Sequence, residues 1–423
     1  MIIYNLFPLL AGQVSDWEPH LKRAFDMGFD WIFINPIHAP GASGSLYSIR
    51  DHFRFNPLMA NGADPTTAVT KFKKMAAAAR AMGLNLMVDL VTGHCASDSE
   101  LIKQHLNWFR QENGKVIHPS CKEEEKIVVW EDLAQFDHEN SPDREGLFKY
   151  LSSVVDFLLD LGISGFRCDA AYQVPEQFWR RLISETKKKK PEAVFLAETL
   201  GCSEPQTVRT AQAGFDYIFN SSKWWDFSSP WLLEQYNQVR HATKSVSFPE
   251  SHDTPRLADE TCGNVDALKS RYFFSALYSA GVMMPIGFEF GFRKRLHVVK
   301  TRPSDWETTG IDLTAFIRNL NRTKAANPVF QEEAPTEILS AENPNILFMS
   351  KRSTAAGQEA LIILNKDPRN KQHFRIDNLY KHVRAPGPLT DVSPEYPLDY
   401  LPTPFEYGLR PGQGIALVTR KSG

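Results

Sequence analysis

Short apolar runs alternate with helix-like stretches for most of this chain, and that rhythm constrains its fold more than any other feature. Strand and helix in strict alternation favour a parallel sheet whose crossovers are helices. Residues 2–7 open as a strand, and residues 17–27 have helical spacing that stops at Gly28. Trp31–Ile34 reads as a second strand cut off before Pro36. Residues 66–82 form a helix with an Ala run and the stop signal Gly83, and residues 86–90 follow as a third strand. The rhythm resumes with helix 144–161, strand Gly165–Cys168, helix 175–188 and strand Val194–Ala197. Tyr217–Phe219, residues 245–248 and residues 282–286 supply strands six to eight, and residues 314–327 the last helix. The pattern predicts an α/β chain folded as a (β/α)8 barrel over residues 1–332.

Two regions break the rhythm. Residues 92–141 mix Trp108, Gly114, Pro119, a charged run at 122–126 and Trp130 without a period, which predicts a small structured excursion after strand three. From residue 333 to 423, runs such as 346–349, 361–364 and 415–418 are separated by Gly, Pro, Asn and Asp. Helical spacing is absent there, so a C-terminal antiparallel, sandwich-like β-domain is expected against the barrel's flank.

Composition narrows the class. A length of 423 residues suits a barrel with an appendix, and a formal charge of −2 argues against nucleic-acid or membrane-surface partners. The basic run at 187–190 falls at a helix end, where solvated cations suit the dipole. The five cysteines are scattered without a C-x-x-C pair, so neither a zinc site nor a disulfide framework is expected. Cys168 reads as a small buried apolar residue. The N-terminus lacks the basic start and long apolar core of a signal peptide, and a cytoplasmic location is expected. Oligomeric state is not readable from the chain.

The candidate chemistry sits where strands end. Asp169, Glu198 and Asp253 each follow an apolar run, in the segments G-F-R-C-D, V-F-L-A-E and S-F-P-E-S-H-D. An acid at a strand exit packs poorly but lies where barrel enzymes build their sites. Breaking an acetal needs a proton for the leaving oxygen and a carboxylate to meet the cationic sugar, and a retaining mechanism needs the pair only ~5 Å apart. Asp169 and Glu198 are separated by about one βα unit, so they should leave neighbouring strands. Arg167 shares a strand face with Asp169 and would hold it ionised. Asp89 and His94 end strand three, Tyr47 could stack on a sugar ring, and His252 could donate to sugar hydroxyls. Blander roles are open to each residue alone: an internal Asp169–Arg167 ion pair, a turn capped by Asp253 through Thr254 and Arg256, a packed Tyr47, a structural His94. Trp224 and Trp225 suggest an acceptor platform with at least one ring in the core, and Tyr172 and Gln173 could shape the acceptor side.

These segments carry a family resemblance. D-L-V-T-G-H at 89–94, G-F-R-C-D at 165–169, A-E at 197–198 and S-H-D at 251–253 resemble the four motif regions of the α-amylase superfamily, glycoside hydrolase family 13. L-Y-S-I-R-D-H-F-R-F-N-P at 46–57 is similar to that family's segment after strand two. The resemblance implies that Asp169 is the nucleophile, Glu198 the acid/base and Asp253 the transition-state stabiliser. It implies sugar contacts for Tyr47, Asp89, His94, Arg167 and His252, and an α-glucan or maltooligosaccharide substrate. H-L-N-W-F-R-Q-E-N-G-K at 105–115, S-P-D-R-E-G-L-F at 141–148 and R-P-S-D-W at 302–306 resemble the branch that elongates α-1,4-glucan from maltose 1-phosphate. That branch carries a long N-terminal domain, whereas this chain opens on strand one. Hydrolysis, transglycosylation and maltosyl transfer all stay open, as does a non-catalytic glucan-binding role. Many family members bind calcium through an Asn where this chain has Gly93, so no metal site and no cofactor is expected.

Overall fold

The computed structural model describes residues 1–123, 126–385 and 387–420. Eight parallel strands close into a barrel: β1 (Ile2–Leu6), β2 (Trp31–Ile34), β3 (Asn85–Leu90), β4 (Gly165–Cys168), β5 (Val194–Ala197), β6 (Tyr217–Phe219), β7 (Lys244–Ser247) and β8 (Gly281–Pro285). Each strand neighbours its sequence neighbours, and β8 pairs with β1 from Ile2–Val282 to Asn5–Pro285. Eight helices follow in turn: α1 (Glu18–Asp26), α2 (Pro65–Ala81), α3 (Arg144–Asp160), α4 (Glu176–Lys189), α5 (Glu204–Ala211), α6 (Trp231–Val239), α7 (Val265–Tyr278) and α8 (Thr314–Ala326). The expected (β/α)8 architecture is present, with strands seven and eight each starting one residue earlier than their apolar runs suggested.

Strand alternation sorts the side chains into two cores. Ile32, Val88, Phe166, Phe195 and Met284 face outward into the layer shared with the helices. Ile3, Phe33, Met87, Leu196, Phe219, Val246 and Met283 face inward and fill the barrel. Packing there is tight enough to dictate glycine at one strand start. A Cβ on Gly165 would lie 2.7 Å from Trp31 Cζ3 and 3.2 Å from the Met87 terminal methyl. The inward series continues past this apolar floor into charge: Met87 gives way to Asp89, and Leu196 to Glu198.

After β3 the chain leaves the barrel on a two-stranded ladder, His94–Ala96 against Leu133–Gln135, before α3 brings it back. Part of the charged run at 122–126 lies outside the described residues. The last strands, β9 (Thr336–Leu339), β10 (Ile346–Arg352), β11 (Glu359–Asn365), β12 (Leu389–Asp391) and β13 (Gly414–Thr419), form an antiparallel sheet in the order β9-β10-β11-β13-β12. Phe348, Leu361, Ile363, Ile415 and Leu417 on this sheet meet Phe374, Ile376, Phe405 and Leu409 from a facing strand pair in a separate apolar cluster.

The basic run closing α4 is more engaged than a solvated helix end. Lys187 pairs with Asp216 at 2.5 Å, Lys189 with Asp156 at 2.8 Å and Lys190 with Glu192 at 2.9 Å. Cys168 is fully buried, with its thiol pushed well above the usual range by burial. No helix among the described residues is long and apolar enough to cross a membrane.

Candidate active site

The acids gather at the mouth where the strands end. β4 and β5 pair in register, Arg167 against Leu196 and Cys168 against Ala197, so Asp169 and Glu198 leave adjacent strands at one level. Main-chain bonds lock that level: Asp169 N–H donates to Leu90 O at 3.1 Å and Glu198 N–H to Cys168 O at 3.0 Å. Asp253 arrives from the loop after β7. Its N–H donates to Ser251 Oγ at 3.2 Å, and Arg295 donates to its carbonyl at 2.6 Å.

Arg167 ties the acids together. Its Nη1 donates to Asp89 Oδ1 at 2.8 Å and to Asp169 Oδ1 at 2.6 Å, while Nη2 lies 4.0 Å from Asp253 Oδ2. Exposure grades outward: the side chains of Arg167, Asp169 and Asp253 are 3%, 15% and 54% exposed. Burial works against the Arg167 charge, but Asp89, Tyr47, Asp169 and Glu198 outweigh it and raise the guanidinium above its ordinary range. The ion pair expected of Asp169 and Arg167 is therefore present, with Asp89 as its buried third member.

Glu198 sits in different surroundings. Its two oxygens accept main-chain N–H groups, Oε2 from Ala170 at 2.8 Å and Oε1 from Leu200 at 2.9 Å. Burial nevertheless pushes its carboxyl up to about 7; Arg167 pulls it down, while Asp169 and Asp253 push it further up. The result is one carboxyl held by a guanidinium and a neighbour able to carry a proton near neutrality, a separation of roles set by environment. The Ala170 N–H is aimed by strain, since this residue adopts a left-handed φ of +40°. Such a conformation disfavours a residue with a Cβ and collects at functional sites. No local sequence signal marked Ala170.

Tyr47 and His252 form a second group on the same mouth. The Tyr47 hydroxyl accepts from Asn35 Nδ2 at 3.0 Å, donates to Asp89 Oδ2 at 2.7 Å and meets His252 Nε2 at 2.6 Å. With the phenol proton given to Asp89, the His252 hydrogen sits on Nε2, shared with Asp253 Oδ2 at 3.0 Å. Burial lowers the His252 pKa, in keeping with a neutral ring. The Tyr47 and His252 rings lie parallel, at 6° with centroids 5.9 Å apart. Burial also pushes the Asp89 carboxyl up, to about 7, against the pull of Arg167. His94 is buried with its pKa lowered by burial, and its Nε2 has no hydrogen-bond partner among the described residues; Arg167 Nε and His252 Nδ1 also lack one there. Unpaired buried polar atoms are costly and cluster here around one mouth.

The structure brings together all eight sequence-chosen residues and separates their neighbours. Trp225 is buried, whereas Trp224 is 53% exposed and stands edge-on to Phe248. Arg256 does not join Asp253 in a turn; it pairs with buried Glu250 at 2.8 Å. Asn35 and that Glu250–Arg256 pair were missed: Asn35 stands at the exit of β2 but carries a neutral amide whose partners, Asn5 and Tyr47, come from other segments, and the pair lies within the loop after β7.

Comparison with known proteins bears on this arrangement. Residues 1–112 match the family model for the glucanotransferase domain of glycogen debranching enzyme. An alpha-1,4-glucan:maltose-1-phosphate maltosyltransferase from Burkholderia pseudomallei is 24% identical, over 85% of this chain and 32% of its own length. One from Corynebacterium glutamicum is 25% identical, over 88% of this chain and 60% of its own. Two α-amylase structures superpose over nearly the whole chain. That from Anoxybacillus gives a TM-score of 0.79 at 16% identity, and the maltogenic enzyme from Thermotoga neapolitana 0.78 at 20%; each match covers 99% of this chain and 98% of the other. The resemblance to the α-amylase superfamily is borne out. The chain thus has the barrel fold of those α-amylase structures, and it spans only part of the length of the maltosyltransferases it matches.

Proposed function

We propose that this α-amylase relative is a retaining α-glucan-active enzyme that cleaves α-1,4-linked glucosides by double displacement. Asp169 attacks the anomeric carbon while Glu198 gives its proton to the leaving oxygen. Glu198 then takes the proton of the incoming water or sugar hydroxyl. Asp253 binds the hydroxyls beside the reacting carbon, most tightly as the ring flattens, where differential binding accelerates reaction. Tyr47, Asp89, His94, Arg167 and His252 hold the sugar and keep the acids in place.

The observation that carries this reading is the contrast between two adjacent strand exits. One acid is ion-paired to a buried guanidinium. The other is desolvated enough to hold a proton at neutral pH.

Maltosyl transfer from a sugar phosphate is the second reading. The names of the maltosyltransferase relatives favour it, as does a cationic loop after β8 whose Arg295 touches Asp253. Incubation with maltose 1-phosphate and a short maltooligosaccharide separates the outcomes. Chain extension with phosphate release supports transfer, free maltose supports hydrolysis, and redistributed chain lengths support glucan-to-glucan exchange. Glucan binding without turnover of any α-glucoside would reject the enzymatic reading in favour of a non-catalytic glucan-binding protein.

A further inference from the structure

The Asp253 side chain is 54% exposed, and its polar partners among the described residues are His252 Nε2 at 3.0 Å and Arg167 Nη2 at 4.0 Å. Two such contacts do not fix an exposed carboxylate, so its place in the mouth comes from the main chain that carries it. That main chain is a closed loop. Glu250 and Arg256, each 1% exposed, meet at its base at 2.8 Å, and the second Glu250 oxygen accepts Leu257 N–H at 2.5 Å. Inside the loop, Ser251 N–H donates to Thr254 Oγ1 at 3.0 Å and Asp253 N–H to Ser251 Oγ at 3.2 Å.

Arg256 also reaches outside this loop. Its Nη2 donates to Ile286 O, just past β8, at 2.9 Å, and its Nε to Lys294 O at 3.2 Å. The chain at Lys294 is gripped from a second side, because Glu307 Oε1 accepts Lys294 N–H at 2.7 Å and Arg293 N–H at 3.0 Å. Arg295 leaves from that anchored point and donates through Nη2 to Asp253 O at 2.6 Å. One buried guanidinium thus fixes both routes to Asp253, the loop that carries it and the arginine that meets its carbonyl. Three acceptors in three directions need a planar fork of donors, which a lysine ammonium does not provide. A buried ion pair often stabilises a fold no better than apolar packing would, so its value here lies in what it positions.

We propose that Arg256 is a positioning residue for Asp253, setting the carboxylate where it meets the flattened sugar ring; the inference rests on the α-glucan reading above. Asp253 contributes most as the ring flattens, so a displaced carboxylate lowers kcat and leaves binding of the resting chain nearly unchanged. Glu250 orients the guanidinium, and the Lys294–Arg295 segment carries its hold to the Asp253 carbonyl.

The test compares the full chain with Arg256→Lys and Arg295→Ala. Arg256→Lys keeps a positive charge beside Glu250 and gives up the fork, and Arg295 is exposed, so its truncation spares the core. Maltoheptaose is the substrate, a neutral chain on which a lost arginine cannot act through anion binding. A misplacement of about 1 Å can cost 10²-fold, so kcat should fall roughly tenfold to hundredfold in Arg256→Lys and roughly fivefold in Arg295→Ala. KM should stay within about twofold, as for an interaction made only in the transition state. Acarbose, whose terminal ring is a flattened half-chair, should lose affinity by about the factor lost from kcat. Partial unfolding would also lower apparent kcat, but the folded fraction would then bind acarbose as the parent does. Parental kcat in folded Arg256→Lys, or a fall in kcat without the matching loss of acarbose affinity, would overturn the assignment. Should Arg256→Lys not fold, Arg295→Ala decides by the same two criteria. A parent that neither cleaves maltoheptaose nor binds acarbose sinks the α-glucan reading itself, whereas an active parent with unaffected variants sinks this proposal alone.

Discussion

Replacing Glu198 by Gln tests the division of labour between the two acids most directly. Each Glu198 oxygen accepts one main-chain N–H, at 2.8 and 2.9 Å, and keeps a second lone pair. The acid can thus be protonated without giving up either bond. A Gln amide oxygen can keep only one of these bonds, and its NH2 must then face the other N–H. A buried donor left unpaired costs about 1–3 kcal/mol, so the variant should unfold at measurably lower denaturant concentration. Loss of a positioned general acid should lower turnover of maltooligosaccharides by roughly 10²–10⁴-fold. The loss should depend on the leaving group. An α-glucosyl fluoride needs no proton to depart, so its first step should keep most of the parent rate. The pH profile adds an independent readout. Burial raises the Glu198 carboxyl to about 7, so the proton donor is present below that pH and lost above it. The parent's kcat/KM should fall on the alkaline side of about 7, and Glu198→Gln should lack that limb. A variant that cleaves unactivated maltooligosaccharides at near-parental rate, or keeps the alkaline limb, refutes the assignment of Glu198 as the acid.

Three further substitutions probe the rest of the mouth. Asp169→Asn keeps an oxygen to accept from Arg167 Nη1, now 2.6 Å away, so the fold should persist while turnover disappears; circular dichroism with product chromatography checks both, and near-normal rate excludes Asp169 as nucleophile. Arg167→Met removes the cation shared by Asp89 and Asp169 and should cost about 3–5 kcal/mol in denaturant unfolding; a loss below about 1 kcal/mol would mean Asp89 is stabilised otherwise. Gly165→Ala pushes a methyl to 2.7 Å from Trp31 and should cost about 1–3 kcal/mol by the same assay; unchanged stability would show that the barrel floor can yield.

The fold was legible because two periodicities agree with it. Strand runs alternate with helices capped by Gly28 and Gly83, and within strands every second residue faces the barrel. That parity makes G-F-R-C-D informative: Phe166 and Cys168 join the outer core, and Arg167 and Asp169 are left to point into the mouth. The same parity carries Asp89 and Glu198 inward. Contacts that rest on chain crossings were not legible in this way. Tyr47 reaches His252 across 205 residues of sequence, and Asn35 reaches Tyr47 from the exit of β2. The buried Glu250–Arg256 pair lies within one loop, but nothing in S-F-P-E-S-H-D distinguishes the acid that turns inward from the one that faces the mouth. Burial decides it: Glu250 is 1% exposed and Asp253 54%.

That last difference explains how one mouth can hold so many carboxylates. Asp89, Asp169 and Asp253 stand around one guanidinium, and Glu198 lies within reach of its field. A single charge cannot neutralise four acids, so the others must be relieved in different ways. Asp89 is relieved by Tyr47 and by burial that favours its protonated form, and Asp253 by solvent and His252. Glu198, enclosed but bonded to neutral N–H groups, takes up a proton near neutral pH without an ion pair of its own, and its position beside Asp169 turns that electrostatic compromise into an acid next to a nucleophile.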